Sequence, residues 1–368
     1  MINAITDQSI AVISPVAGTT TDPVYKTMEM LPIGPVVFID TAGLDDVGEL
    51  GALRIEKTYE VLRKCDFAIV VTDEKGITKF EEDFIDQLKK REINFILAFN
   101  KCDKAENLEL KFSEGLSVRT CTTEKTGIEE IKAKIIEHSR ERYAEPSLVA
   151  GLLDEGDIAI LVTPIDSAAP KGRLILPQQQ TIRDILDKRA MAVVTQETQL
   201  KQVLGSLKNP PKIVITDSQI FQEVAEITPE EIPLTSFSML FARQKGDLRE
   251  MAHGAEQIQE LRDGDKVLIV EGCTHHKQED DIGTKKIPRW INEIAGDGIQ
   301  YEWASGAYYP KDIDKYKLII HCGGCMLNHR EMGYRINVAK DEEVCITNYG
   351  VLIAHLKGIL PRALKPLL

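Results

Sequence analysis

In the run His321-Cys322-Gly323-Gly324-Cys325, two glycines separate two cysteines, a spacing that lets both thiolates turn towards one ion or cluster. Upstream, Cys273-Thr274-His275 adds a third thiol and an imidazole. A lone Cys-x-x-Cys serves equally as a redox pair or as half of a zinc knuckle, so the motifs gain specificity only together. Cys65, Cys102, Cys121 and Cys345 have no second metal-type neighbour in sequence and read as small core residues. Seven cysteines are an odd number, and in a chain this long they read as buried thiols or metal ligands rather than a disulfide framework. His253, His276, His329 and His355 read as ordinary surface or core residues, with His276 alone near a motif.

A second set of residues suits phosphate and base recognition. Asp40-Thr41-Ala42-Gly43-Leu44 directly follows an apolar strand, where a nucleotide hydrolase holds a magnesium-side aspartate and where a glycine lets a backbone amide approach a terminal phosphate. Taken alone, Asp and Gly at that point also make a plain strand-ending turn. Further on comes Asn100-Lys101-Cys102-Asp103, whose carboxylate can accept both hydrogen bonds from the N1 and N2 edge of guanine, a donor pair that adenine lacks. With Ala17-Gly18-Thr19-Thr20-Thr21-Asp22 upstream, these residues resemble the motifs of small GTPases, most closely the bacterial tRNA-modification type. That resemblance implies Thr20 near magnesium, Asp40 and Gly43 at the γ-phosphate, and Asn100, Lys101 and Asp103 around guanine. The loop that backs the base departs from the family's Ser-Ala-Lys; its nearest match is Thr123-Glu124-Lys125, followed by Thr126-Gly127. No Gly-x-x-x-x-Gly-Lys-Ser/Thr loop occurs before the switch, and Met1 to Ile5 looks like the helix that normally follows it. The expectation is an N-terminally shortened GTPase that binds GTP weakly.

The elements that must carry these motifs alternate between strand and helix. Apolar runs at Val36 to Ile39, Phe67 to Val71 and Phe95 to Phe99 read as strands, and Ile128 to Tyr143 reads as a helix with Ile128, Ile131 and Ile135 on one face. Beyond the break at Ala144-Glu145-Pro146-Ser147, strands are expected at Ile158 to Val162, Met191 to Val194 and Lys212 to Ile215, with helices at Gln180 to Arg189, Gln199 to Leu207 and Ile220 to Ile227. A helix from Leu248 to Leu261 opens a third unit, with strands at Lys266 to Val270, Lys317 to Ile320 and Val344 to Ile346. Both cysteine motifs follow such strands, and adjacent strand ends in a parallel sheet bring such loops together. The predicted class is α/β in three domains: an incomplete P-loop domain of the small-GTPase type over 1–144, a middle α/β domain over 152–240, and a C-terminal α/β domain with a parallel sheet over 245–368. No internal repeat is visible in the sequence.

The order Cys-x-His, a long gap, then His-Cys-x-x-Cys, behind GTPase motifs, resembles the HydF family of [FeFe]-hydrogenase maturation GTPases. The likeness extends to the middle unit with Gly156-Asp157 and Pro170 to Pro177. It implies a GTPase domain using GTP and Mg2+, a middle dimerisation domain that makes a homodimer, and a C-terminal domain that holds a [4Fe-4S] cluster on Cys273, Cys322 and Cys325. It also implies a scaffold that carries a diiron precursor to the [FeFe]-hydrogenase, with the radical-SAM maturases as further partners. Three cysteines leave one iron of a cubane without a thiolate and so with an exchangeable ligand, as carriage and release require. His275 and His321 are the candidates for that position; either could instead orient a cysteine or cap a strand end, and a carboxylate or water could take the place.

Composition narrows the alternatives. A net charge of -13 at pH 7 disfavours a nucleic-acid partner, since such affinity comes mainly from Lys and Arg neutralising phosphates. No stretch reaches the roughly 18 apolar residues needed to span a bilayer, and no secretory signal is visible at the N-terminus, so a cytoplasmic protein is expected. Two other readings compete: a zinc-stabilised binding module fused to a degenerate GTPase, and a tRNA-modifying GTPase, which the C-terminal cysteines and the acidic balance oppose.

Overall fold

A computed structural model of the chain describes residues 1–7, 23–41, 55, 57–73, 76–104, 116–142, 146–165, 174–272, 281–306 and 308–368, without the side chains of 116 and 139–142. The chain divides into two compact units, Met1–Ala144 and Glu145–Leu368.

In the first unit, β1 (Val24–Met30) and β2 (Gly34–Asp40) form an antiparallel hairpin. A parallel sheet has the order β3 (Phe67–Thr72), β4 (Asn94–Phe99), β5 (Leu116–Arg119). Its helices are α1 (Ile2–Thr6), α2 (Lys79–Lys90) and α3 (Ile128–Arg142). Side chains alternate across a strand, and β4 is apolar on both faces because both are covered. Ile96 and Ala98 pack with Ile128, Ile131 and Ile135 of α3, whereas Leu97 and Phe99 pack with Phe84, Ile85 and Leu88 of α2.

The second unit contains two parallel four-stranded sheets. The first runs β7 (Met191–Thr195), β6 (Ile158–Val162), β8 (Ile213–Thr216), β9 (Leu234–Ser236). Its helices are α4 (Leu176–Asp187), α5 (Leu200–Ser206), α6 (Phe221–Ile227) and α7 (Phe237–Lys245). The second sheet runs β11 (Gln300–Ser305), β10 (Lys266–Glu271), β12 (Leu318–His321), β13 (Cys345–Asn348). Around it lie α8 (Leu248–Glu256), α9 (Ile287–Ala295), α10 (His329–Asp341), α11 (Tyr349–Leu356) and α12 (Leu360–Leu364). The strand order is the same in both sheets, a repeat of topology that leaves no trace in the sequence. One apolar cluster runs through both: Ile160 and Ile215 of the first sheet share it with Leu268, Val270 and Ile319 of the second. Val267, Ile269, Leu318 and Ile320 face the other way, into a smaller cluster with Ile287 and Ile291 of α9.

The structure moves the bounds of some expected elements. Helix α4 begins at Leu176 rather than Gln180, with Pro177 in its first turn, where the missing amide costs nothing. Helix α8 ends at Glu256, and Gln257–Glu260 continues as a tighter 3-10 turn. Among the described residues, no helix is long and apolar enough to cross a membrane.

Candidate metal centre and base-recognition loop

Strands β10 and β12 are parallel neighbours, Val270 opposite His321, although β11 lies between them in sequence. The chain leaves β10 to one side and returns as β12 on the other. Their carboxyl ends therefore make a topological switch point, where open α/β sheets place their ligands. Cys322 stands directly after β12, and its amide continues the ladder by donating to Val270 O at 2.8 Å. Its sulfur accepts the amide hydrogens of Gly272 at 3.1 Å and Gly324 at 3.4 Å. Two amide dipoles aimed at one sulfur favour the thiolate, the form that binds metal. Gly272 ends the described stretch after β10; Cys273 and His275 lie outside the described residues.

The turn between the two later cysteines depends on its second glycine. Gly324 has φ +61°, and a Cβ there would lie 2.3 Å from Met332 Cε. Cys325 is partly buried, and its carbonyl accepts a hydrogen bond from Lys245 Nζ at 3.3 Å. Among the described residues no group of three metal-type side chains assembles.

His321, fully buried, makes two contacts that fix its tautomer. Arg335 Nη1 lies 2.9 Å from Nε2, and a guanidinium only donates, so Nε2 accepts. The proton is then on Nδ1, which donates to Cys322 O at 2.8 Å. Burial, and next the Arg335 charge, push the His321 pKa down to about 3, so the ring is neutral. In this arrangement neither nitrogen has a lone pair left for a metal, and His321 orients the cysteine turn. Nearby, Glu271 is buried, and Tyr349 Oη lies 3.5 Å from its Oε1. Burial first, then the Glu271 charge, raise the Tyr349 pKa and keep that hydroxyl protonated.

In the first unit, Asn100 follows β4 and its amide donates to Thr72 O at 2.8 Å. Its Oδ1 accepts from Thr122 N at 3.2 Å, and Cys102 N donates to Thr120 O at 3.1 Å. The segment from Thr120 to Gly127 is thereby tied to the Asn-Lys-x-Asp loop. Lys101 adopts φ +58° with its Nζ 4.0 Å from Asp73 Oδ2, and the Asp103 carboxylate is exposed. Cys121, which sequence reasoning set aside, donates its thiol to Asp103 Oδ1 at 3.3 Å and lies 3.0 Å from Thr123 Oγ1. Gly127 has φ +76°, and a Cβ there would fall 2.1 Å from Arg119 O, so the loop closes only with glycine. Asp40 ends β2; burial raises its pKa, opposed by the N-terminal ammonium. Thr20 and Gly43 lie outside the described residues.

Two further residues had no clear signal in sequence. Lys245 ends an apolar helix and reads as a solvated terminus, yet it is buried. Arg335 stands four residues after Glu331, a spacing that also suits an ordinary exposed pair.

Family models match three segments of the chain. Residues 1–101 match the family model of a 50S ribosome-binding GTPase, residues 148–246 that of the hydrogen maturase F dimerization domain, and residues 249–366 that of the hydrogen maturase F tetramerization domain. GTPase Der of Campylobacter hominis is 32% identical over 110 residues, covering 29% of this chain and 24% of that protein. The tRNA modification GTPase MnmE of Chromobacterium violaceum is 30% identical over 141 residues, covering 37% of this chain and 31% of that protein. The chain thus spans about a quarter to a third of the length of these relatives. A solved structure of Era in complex with MgGDPNP and a segment of 16S ribosomal RNA has a TM-score of 0.34 at 15% identity, over 54% of this chain and 89% of that one. The two hydrogen maturase F models together span more than half of the chain, and their names carry self-association with them. With a GTPase-type domain in front of both, the chain belongs to the HydF family of hydrogenase-maturation GTPases.

Proposed function

We propose that this protein is a scaffold and carrier in [FeFe]-hydrogenase maturation, holding a [4Fe-4S] cluster on Cys273, Cys322 and Cys325. The observation that carries this reading is the pair of backbone amides on Cys322 Sγ at the switch point between β10 and β12. A donor set of thiolates suits iron-sulfur clusters and zinc alike, and magnesium or calcium poorly. When bound, the cluster would supply one iron with an exchangeable ligand, open to a diiron precursor on its way to the hydrogenase. The chain's own part is to hold the thiolates: His321 fixes the Cys322 carbonyl, and Gly324 allows the turn.

In the same reading the middle domain, residues 152–240, makes a homodimer, and residues 245–368 form the cluster domain. GTP and Mg2+ would be held by Thr20, Asp40 and Gly43 on the phosphate side and by Asn100, Lys101 and Asp103 on the base side. Hydrolysis would release loops held through the γ-phosphate and so bias association with the hydrogenase and the radical-SAM maturases. In a full-length form that carries the phosphate-binding loop, that coupling predicts different partner affinities with GTP and with GDP; equal affinities and equal cluster transfer in both states would refute it. The protein works in the cytoplasm, without nucleic acid or membrane as partner.

Anaerobic iron and sulfide analysis with electron paramagnetic resonance tests the central claim, on the chain and on a Cys322→Ala, Cys325→Ala variant. A cubane signal is expected in the first and its loss in the second. Zinc without iron under reconstituting conditions would sink the claim and favour a zinc-stabilised binding module.

A further inference from the structure

Lys245 is the last residue of α7, in the segment matched to the dimerization domain, and only 4% of its surface is exposed. Its ammonium donates to two carbonyls of the cysteine turn, Leu327 O at 2.8 Å and Cys325 O at 3.3 Å, and lies 5.2 Å from the centroid of the Phe241 ring. Helix α7 fixes that position. Phe237, Met239, Leu240 and Phe241 are buried in the shared core, and Ser236 caps the first turn by accepting from Met239 N at 3.3 Å. The same helix lies along the turn at a second point, since Ser238 Oγ would be 3.9 Å from a Cβ on Gly323, and Ser238 O accepts from Asn348 Nδ2 at 3.4 Å. Next along the chain, a Cβ on Gly246 would meet Ile336 Cδ1 at 2.9 Å. The lysine is thus delivered to the turn by a helix that packs on both sheets.

We propose that Lys245 is a positioning residue of the metal centre, contributed by the dimerization segment: it holds the Cys325 to Leu327 backbone and offsets the negative charge of a cluster bound there. The proposal rests on the iron-sulfur reading above. Two hydrogen bonds to carbonyls are what any lysine near a helix end can make. What separates this one is burial. An ammonium withdrawn from water is costly, and its field is poorly screened, so an anion nearby feels it strongly. Three thiolates outweigh the charge of a cubane core, which leaves the site anionic in both oxidation states and more so when reduced. A fixed cation against the backbone of one ligand therefore stabilises the reduced form more, and local charge is one of the terms that sets such potentials.

The test uses the full chain, reconstituted anaerobically with ferrous iron and sulfide, in potentiometric titration followed by electron paramagnetic resonance. Lys245→Met keeps the apolar stem and removes both the charge and the grip on the turn. It should lose iron on desalting that the wild type keeps, and titrate at a lower midpoint potential. Lys245→Gln keeps a shorter amide donor without the charge, so it should keep more iron than the Met variant and still titrate lower. Lys245→Arg should restore the wild-type potential. Gln and Met variants with wild-type iron content and potential would overturn the proposal, as would an Arg variant that titrates with them. A wild-type chain that takes up no iron would instead bring down the iron-sulfur reading, whatever Lys245 does.

Discussion

Arg335 has no exposed surface, and each of its three nitrogens meets a fixed group. Nε and Nη2 reach Glu331 Oε1 at 2.9 Å, Nη1 reaches His321 Nε2 at 2.9 Å, and Nη2 reaches Gly306 O at 3.0 Å. The side chain of Glu331 is itself 9% exposed, so removing the arginine strands a carboxylate with little water to receive it. Arg335→Met, close in volume, should cost roughly 3–5 kcal/mol in urea unfolding, the range for breaking a buried pair from one side. Adding Glu331→Leu should recover part of that cost, because the orphaned charge goes with it. A single variant that loses under about 1 kcal/mol would mean the network is relaxed in solution and does not hold His321. At this scale the cysteine pair and the Asn-Lys-x-Asp loop were legible, because their chemistry needs particular residue types at short spacing. The Arg335 to His321 contact spans fourteen residues and two elements, and neither residue type announces burial. Cys121 reads in sequence as a plain core thiol for a similar reason: its meaning comes from Asp103, eighteen residues away.

Elements were legible wherever burial on both faces leaves a continuous apolar run. Ile158–Val162, Lys266–Glu271 and Leu318–His321 are such strands, and each emerges within a residue or two of its expected bounds. The edge strand β11 hides because Gln300, Trp303 and Ser305 are exposed along it, which dilutes any apolar pattern. Strand β1 reads Val-Tyr-Lys-Thr-Met-Glu-Met, with no steady alternation along its length, and β9 is only three residues long before α7 begins. Helix α11 is apolar on every side, since Gly350 to Ala354 are all buried, so no helical period stands out. In α10 the buried face carries Glu331 and Arg335, which a hydrophobicity reading assigns to solvent. Close packing adds a demand that pattern cannot express. A Cβ on Gly254 of α8 would fall 2.1 Å from Ile346 O of β13, so that helix lies against strand backbone with no room for a side chain. The glycine reads in sequence only as a weak spot in a helix.

Within residues 145–368 the two sheets behave as one body, because a single apolar cluster runs through both and the chain's last helix is tied back to the first sheet. Arg362 of α12 donates to Ala225 O at 2.9 Å, Thr228 O at 2.8 Å and Pro229 O at 2.7 Å, closing the carboxyl end of α6. An assembly made through either sheet would therefore carry the proposed metal centre as a rigid load rather than on a tether. In the first sheet, β7 is one of the two edge strands, and among the described residues nothing pairs with its outer side. Met191 and Val194 on it are about half exposed, at 49% and 45%. An edge with apolar side chains and free backbone groups is a template for pairing with a second copy about a twofold axis, and natural proteins that avoid this place lysine there. In the proposed homodimer the pairing satisfies those groups and continues the sheet across the axis. Val194→Lys sets two ammonium groups against each other across such a junction while changing nothing in the core. It should halve the native mass read by light scattering, whether the second matched domain adds another interface or not, and it should leave thermal stability of the remaining unit nearly unchanged. Mass unchanged by the substitution would move the dimer contact off β7; a wild-type chain that is already monomeric would remove the middle-domain homodimer altogether.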